Sequence, residues 1–202
     1  VKWRDSIMAY KQHFIEWFSG KQLPSYWTST QFYGNGSDAM SDEVDGGYKI
    51  TGGNGGSSQS QIIGFNDKCQ FSHQGSVFNT VMKMSSTDNV TAKVGLKKNT
   101  SGGFNDSNAS FFGDSAVGYF EAFSGDNSGR TGVSSSIALN TSWNNHKLTL
   151  QTANFLYHIN GVLEVTKTDR LPVEKMQPSL QIANLNTTVK SISCRFLEVY
   201  NT

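Results

Sequence analysis

The sequence predicts an all-β chain: a two-sheet antiparallel β-sandwich with a short helical lead-in at its N-terminus. Three observations carry that expectation. Beyond Gly20 the apolar residues alternate in twos, as in His146-Lys147-Leu148-Thr149-Leu150-Gln151, where Leu148 and Leu150 would face a core and Lys147, Thr149 and Gln151 the solvent. Turn formers cut the chain at short intervals, at Gly34-Asn35-Gly36-Ser37, Asp45-Gly46-Gly47 and the run from Gly52 to Ser58. Composition supplies the third: 36% hydrophobic but 12% aromatic residues, with 13 Phe, so that few side chains can bury a large area.

In chain order, residues 1–18 read differently from the rest. Trp3, Ile7, Tyr10, Phe14 and Trp17 or Phe18 recur at helical steps, which predicts an amphipathic lead-in or docking segment able to mediate homo-oligomerisation. Residues 19–202 form the sandwich domain. Its strand candidates are 47–51, 61–65, 76–85, 89–96, 110–113, 117–124, 133–139, 146–151, 155–160, 162–168, 179–183 and 190–200. Asn160-Gly161 between two of them is a two-residue hairpin turn that needs positive φ twice. Twelve strands in one domain would close into two packed sheets, because one flat sheet would leave a face unburied.

Charge and motif exclude several functions. Seventeen Lys and Arg against 16 Asp and Glu leave a net charge of +1, with Lys97-Lys98 the densest basic run, so no nucleic-acid partner is expected. No apolar run is long enough to span a membrane. The glycines of 52–58 lack the Gly-Lys-Ser/Thr of a phosphate loop, and Gly113-Asp114-Ser115 lacks the elbow of a serine nucleophile. His13, His73, His146 and His158 have no metal-ligand spacing, and His158, the one alternation sets opposite Phe155, Tyr157 and Ile159, reads as a surface histidine. No cofactor is called for. Calcium is the one ion the sequence admits, from the loop acids Asp38, Asp42, Asp45, Asp114 and Asp126. Cys69 and Cys194 read either as two buried thiols or as one disulfide.

Leu23-Pro24-Ser25-Tyr26-Trp27-Thr28, Asp45-Gly46-Gly47-Tyr48-Lys49-Ile50, Ser142-Trp143-Asn144-Asn145-His146-Lys147-Leu148-Thr149-Leu150, Asn160-Gly161-Val162-Leu163 and the stretch from Pro178 to Tyr200 follow one another over residues 13–202. Their order resembles the concanavalin A-like jelly-roll superfamily of lectins, laminin-G modules and laminarinase-type hydrolases. The resemblance implies that Trp27 and Trp143 close the core. In its hydrolases a strand carries Glu-x-Asp-x-Glu or Glu-x-Asp-x-x-Glu, which alternation places in one cleft at the roughly 5 Å separation of a retaining pair. Here Glu43-Val44-Asp45 runs into Gly46-Gly47, and Glu121 stands alone at mid-chain. Arg195 sits where the resemblance places the aspartate beside calcium.

The expected function is therefore non-catalytic: an extracellular, cell-surface or virion module for recognition, with a glycan or surface protein as partner. Tyr33, Tyr119, Glu121, Arg130 and His158 are its candidate ligand contacts. The alternatives are a purely structural, oligomerising or decoration domain, and a glycoside hydrolase or lyase.

Overall fold

The computed structural model describes residues 12–19, 22–33, 35–40, 47–54, 59–65, 71–98 and 107–202. Strands β1 (His13–Glu16), β2 (Trp27–Tyr33), β3 (Ser37–Met40), β4 (Tyr48–Thr51) and β5 (Gln59–Gly64) come first. They are followed by β6 (Ser76–Met84), β7 (Val90–Lys97), β8 (Asn108–Asp114), β9 (Tyr119–Gly125) and β10 (Arg130–Ala138). The chain closes with β11 (Asn144–Leu150), β12 (Phe155–Ile159), β13 (Val162–Lys167), β14 (Gln177–Asn184) and β15 (Ser191–Asn201). An eight-stranded sheet runs β13-β12-β11-β6-β15-β4-β3, with β1 paired to β15. The second sheet has seven strands, in the order β10-β9-β8-β7-β14-β5-β2.

Alternation decides which side chains meet between the sheets. Phe78, Leu148, Tyr157, Leu197 and Val199 of one sheet and Val94, Leu96, Phe111, Phe120, Leu180 and Ile182 of the other are all buried. Each such side chain contributes roughly 1.5–3 kcal/mol on leaving water. The hairpin at Asn160-Gly161 has the two positive φ values its sequence demands, 51° and 84°. Its Asn160 side chain donates to Asn144 Oδ1 at 3.0 Å and accepts from the Asn145 backbone N–H at 2.9 Å. Where the two sheets' edge strands β13 and β10 meet, the buried Lys167 ammonium is held by Thr131 and Asp169.

Three expectations need correction. No helix is present among the described residues, and the end of the supposed lead-in is strand β1, in register from His13 opposite Tyr200 to Glu16 opposite Leu197. An isolated helix of that length is marginal, whereas the edge of β15 offers ready backbone partners. Residues 1–11, and with them the rest of the docking segment, lie outside the described residues. Trp143 is not core but half-buried, with Arg195 Cζ 4.0 Å and Lys83 Nζ 4.9 Å from its ring centre. A register shift between Cys194 and Phe196 makes Arg195 the extra residue of a bulge. His146, on the same side of β11 as Leu148 and Leu150, is fully buried; its Nδ1 meets Tyr157 OH at 2.8 Å and its ring stacks on Phe111 at 4.0 Å. Last, β2 extends well past the Trp27-Thr28 opening, and β3 was not anticipated.

Cys194 is a buried thiol within 3.2 Å of Thr80 Oγ1, and burial pushes it up to about 12. Cys69 lies outside the described residues.

Candidate functional site

The outward face of the seven-stranded sheet is built by register. Gln181, Lys93, Phe112, Glu121 and Ser134 form one row across β14, β7, β8, β9 and β10. The next row is Ser179, Gly95, Ser110, Phe123 and Gly132, and beyond it lie Gln177, Lys97, Asn108, Gly125 and Arg130. On the other side of the first row sit Thr91 and Asp114. Two-residue periodicity sends Thr91, Lys93, Asp114, Glu121, Phe123 and Arg130 away from the core, while Val94, Leu96, Phe111, Phe120 and Ala122 beside them point into it.

Glycine keeps the middle row low. A Cβ on Gly95 would lie 2.3 Å from the Ala109 carbonyl oxygen, so β7 and β8 approach too closely there for any side chain. At Gly132 a Cβ would meet Glu121 Oε1 at 3.1 Å and Phe123 Cδ2 at 3.3 Å, so the carboxylate and the ring both lean over that glycine. Phe123 in turn lies under two cations, with Lys93 Nζ 5.7 Å and Arg130 Cζ 5.8 Å from its centre.

The electrostatics follow from this crowding. Burial, and then the charge of Asp114, push the Glu121 carboxyl above the usual carboxylate range, against a long contact of 3.5 Å from Ser134 Oγ. Burial and the charges of Arg130 and Lys97 hold the Lys93 ammonium down to about 7, with Asp114 opposing them. Asp114 is anchored at the end of β8, where its Oδ1 accepts the Ala116 backbone N–H at 2.9 Å. Glu121 pairs with Phe112, and Asp114 is two residues beyond Phe112 on the same strand. The two carboxylates are therefore diagonal neighbours on adjacent strands, about 7 Å apart at Cβ.

Of the sequence-derived contacts, Tyr119, Glu121 and Arg130 lie on this sheet's β9 and β10, Tyr119 at one end of β9 and Arg130 opposite Gly125 at its other end. Tyr33 lies on β2, the far edge of the same sheet. His158 is elsewhere, on β12 of the other sheet opposite Lys147, and burial followed by that lysine's charge lowers its basicity. Lys93, Ser110 and Phe123 went unread. Their signal was present: Val90, Ala92, Val94 and Leu96 make β7 a half-buried strand whose opposite side carries Thr91, Lys93 and Lys97. Among the loop acids, Asp38 accepts from Ser29 and Tyr48 and Asp126 pairs with Arg170 at 3.2 Å, while Asp42 and Asp45 lie outside the described residues, as does Glu43. Among the described residues no three His, Cys, Asp or Glu side chains gather as metal ligands.

No family model and no curated protein matches the chain by sequence. Solved structures share its fold. The β-glucanase of Bacillus licheniformis aligns with a TM-score of 0.67 at 11% identity, covering 94% of this chain and 98% of its own. A GH16 protein of Bacteroides ovatus, described with mixed-linkage glucan and a G4G4G3G product, gives 0.69 at 10% identity, covering 92% and 99%. A pseudo β-1,3-glucanase of Mycobacterium tuberculosis gives 0.64 at 11%, covering 94% and 98%. This chain has the concanavalin A-like jelly-roll fold.

The expectation of a non-catalytic recognition module is overturned by these neighbours, which are described mainly as glucanases and glycoside hydrolases. Its physical ground also weakens. Glu121 was read as solitary because only carboxylates on one strand were sought, and register supplies a second from the next strand.

Proposed function

We propose that this chain acts on glycans as a glycoside hydrolase, with the outward face of the seven-stranded sheet as its cleft. The observation that carries the reading is the Glu121–Asp114 pair on adjacent strands, in which burial and then the charge of Asp114 raise the Glu121 carboxyl above the usual carboxylate range. Glu121 is the acid: it donates its proton to the glycosidic oxygen as the bond to the anomeric carbon breaks. Asp114 is the base that takes a proton from the water attacking the opposite face. Gln181, Ser134 and Tyr119 flank the pair and can bridge sugar hydroxyls. The fold's glucanase neighbours support a β-linked polymer as substrate, and such a polymer is met outside the cell, in keeping with export or surface display.

The test is release of reducing ends from mixed-linkage and β-1,3-glucans by the wild type, Glu121→Gln and Asp114→Asn. The reading expects release by the wild type and its loss in both variants. Binding without release by the wild type, or full release by Glu121→Gln, overturns it.

A further inference from the structure

The β8–β9 hairpin decides what stands next to the carboxyl pair. Gly113 of β8 pairs with Phe120 of β9, so Asp114, one residue on, stands beside Tyr119, one residue back. Tyr119 is also two residues from Glu121 on the same strand and shares its outward side, while Phe120 between them is buried. One ring therefore neighbours both carboxyls, across the strands and along one of them. Its backbone is tied down: the Val117 and Gly118 N–H groups donate to the Asp114 carbonyl at 3.1 and 3.0 Å, and the Leu139 N–H donates to the Gly118 carbonyl at 3.0 Å.

The next strand makes room beside that ring. Ser134 pairs with Glu121 and Ala138 with Tyr119, so Ser135, Ser136 and Ile137 all stand opposite Phe120 alone. Extra residues of this kind bend a strand away from its partner. Here Ser136 gives its backbone N–H and its hydroxyl to Glu164 of β13, at 3.1 and 2.6 Å, which draws β10 toward the other sheet and away from the face that carries Tyr119. Tyr119 is left 45% exposed, and among the described residues no hydrogen bond or ring contact engages its side chain. A pyranose hides its apolar C–H face from water by lying flat on such a ring.

We infer that Tyr119 is a specificity-determining residue of the cleft: its ring is the platform on which a neutral pyranose next to the scissile bond stacks an unsubstituted C–H face. The inference rests on the glycan-cleft reading and names the sugar face that the site accepts. A sugar stacked there lies beside both Glu121 and Asp114, and a bulky substituent on the stacked face lifts it off the ring.

The test compares wild type, Tyr119→Ala and Tyr119→Phe on a neutral mixed-linkage glucan oligosaccharide. Turnover is read as kcat and KM, and affinity by calorimetry with each change placed in the Glu121→Gln background. Tyr119→Ala should raise KM and Kd about tenfold, a difference of about 1.4 kcal/mol, and change kcat by less than about twofold. Tyr119→Phe keeps the ring and should recover most of that affinity. Unchanged KM and Kd in Tyr119→Ala, a loss confined to kcat, or an equal loss in Tyr119→Phe overturns the stacking inference, and the cleft reading stands as long as Glu121→Gln alone abolishes release. Binding without release by the wild type overturns the hydrolase reading, and the Kd ratio still decides the stacking. If the wild type neither binds nor cleaves the oligosaccharide, both are overturned.

Discussion

The two sheets use the same alternation, yet their outer faces carry charge differently. On the eight-stranded sheet His13 bonds Glu198 at 2.9 Å, and, among the described residues, the cations Arg195 and Lys83 rest on Trp143 without a carboxyl pushed upward beside them. On the seven-stranded sheet Lys93, Glu121 and Asp114 share a half-dry strip in which burial perturbs the lysine and the glutamate and the charge of Asp114 acts on both. A face that only solvates the fold has no reason to hold a lysine near 7 beside a carboxyl pushed upward. Perturbed groups clustered on one face are what acid–base work requires.

The sharpest way to break this contrast is to neutralise one group on each side. Glu121→Gln should lower glucan hydrolysis by about a thousandfold, within the usual worth of a general acid, whereas His158→Gln on the other sheet should leave it unchanged. Equal losses from both would erase the distinction between the faces. A subtler change is Gly132→Ala, whose methyl would crowd Glu121 Oε1 and Phe123. A displaced carboxyl should cost about tenfold in kcat with an unchanged unfolding midpoint.

The core between the faces gives a prediction of its own. His146 is pushed down to about 3 by burial and stays neutral in the folded chain, while in the unfolded chain it takes up a proton below about 6.5. Its contribution is intact above pH 6.5 and is lost as pH falls, by about 2 kcal/mol at pH 5. Urea unfolding of wild type and His146→Phe at pH 7 and pH 5 measures it, and the variant should lose this part of the slope.

A smaller effect concerns the lysine of the strip. Lys93 faces Arg130 from β10, Lys97 on its own strand, Asp114 from β8 and Glu121 from β9. Its ammonium loses its proton as pH rises through about 7. That midpoint, followed by nitrogen-15 NMR, should rise in Arg130→Gln, because the Arg130 charge is one of those holding it down; an unchanged midpoint would leave burial as its whole cause.

Much of the architecture was legible because local rules and the fold agree. Leu148 and Leu150 alternate with polar residues, and Asn160-Gly161 permits one kind of turn, so strands and register there follow directly. The N-terminal segment misled because Phe14 and Phe18 are four apart, which fits a helix, while pairing with β15 overrides that spacing. His146 shares the parity of Leu148 and Leu150, so its burial was written in the pattern, but what its ring stacks on comes from the opposite sheet. The site was harder still. Glu121 and Asp114 belong to different strands, and their juxtaposition depends on a register that no single-strand motif records. The same holds for Lys93 and Arg130, which reach Phe123 from strands on either side of it.

Titration of the Glu121 carboxyl by carbon-13 NMR, in the wild type and in Asp114→Asn, tests most directly whether two strands supply one coupled pair. The account predicts a wild-type midpoint above that of a solvent-exposed glutamate, and a fall toward the ordinary value when the Asp114 charge is removed. An unshifted midpoint, or one indifferent to the substitution, would contradict it.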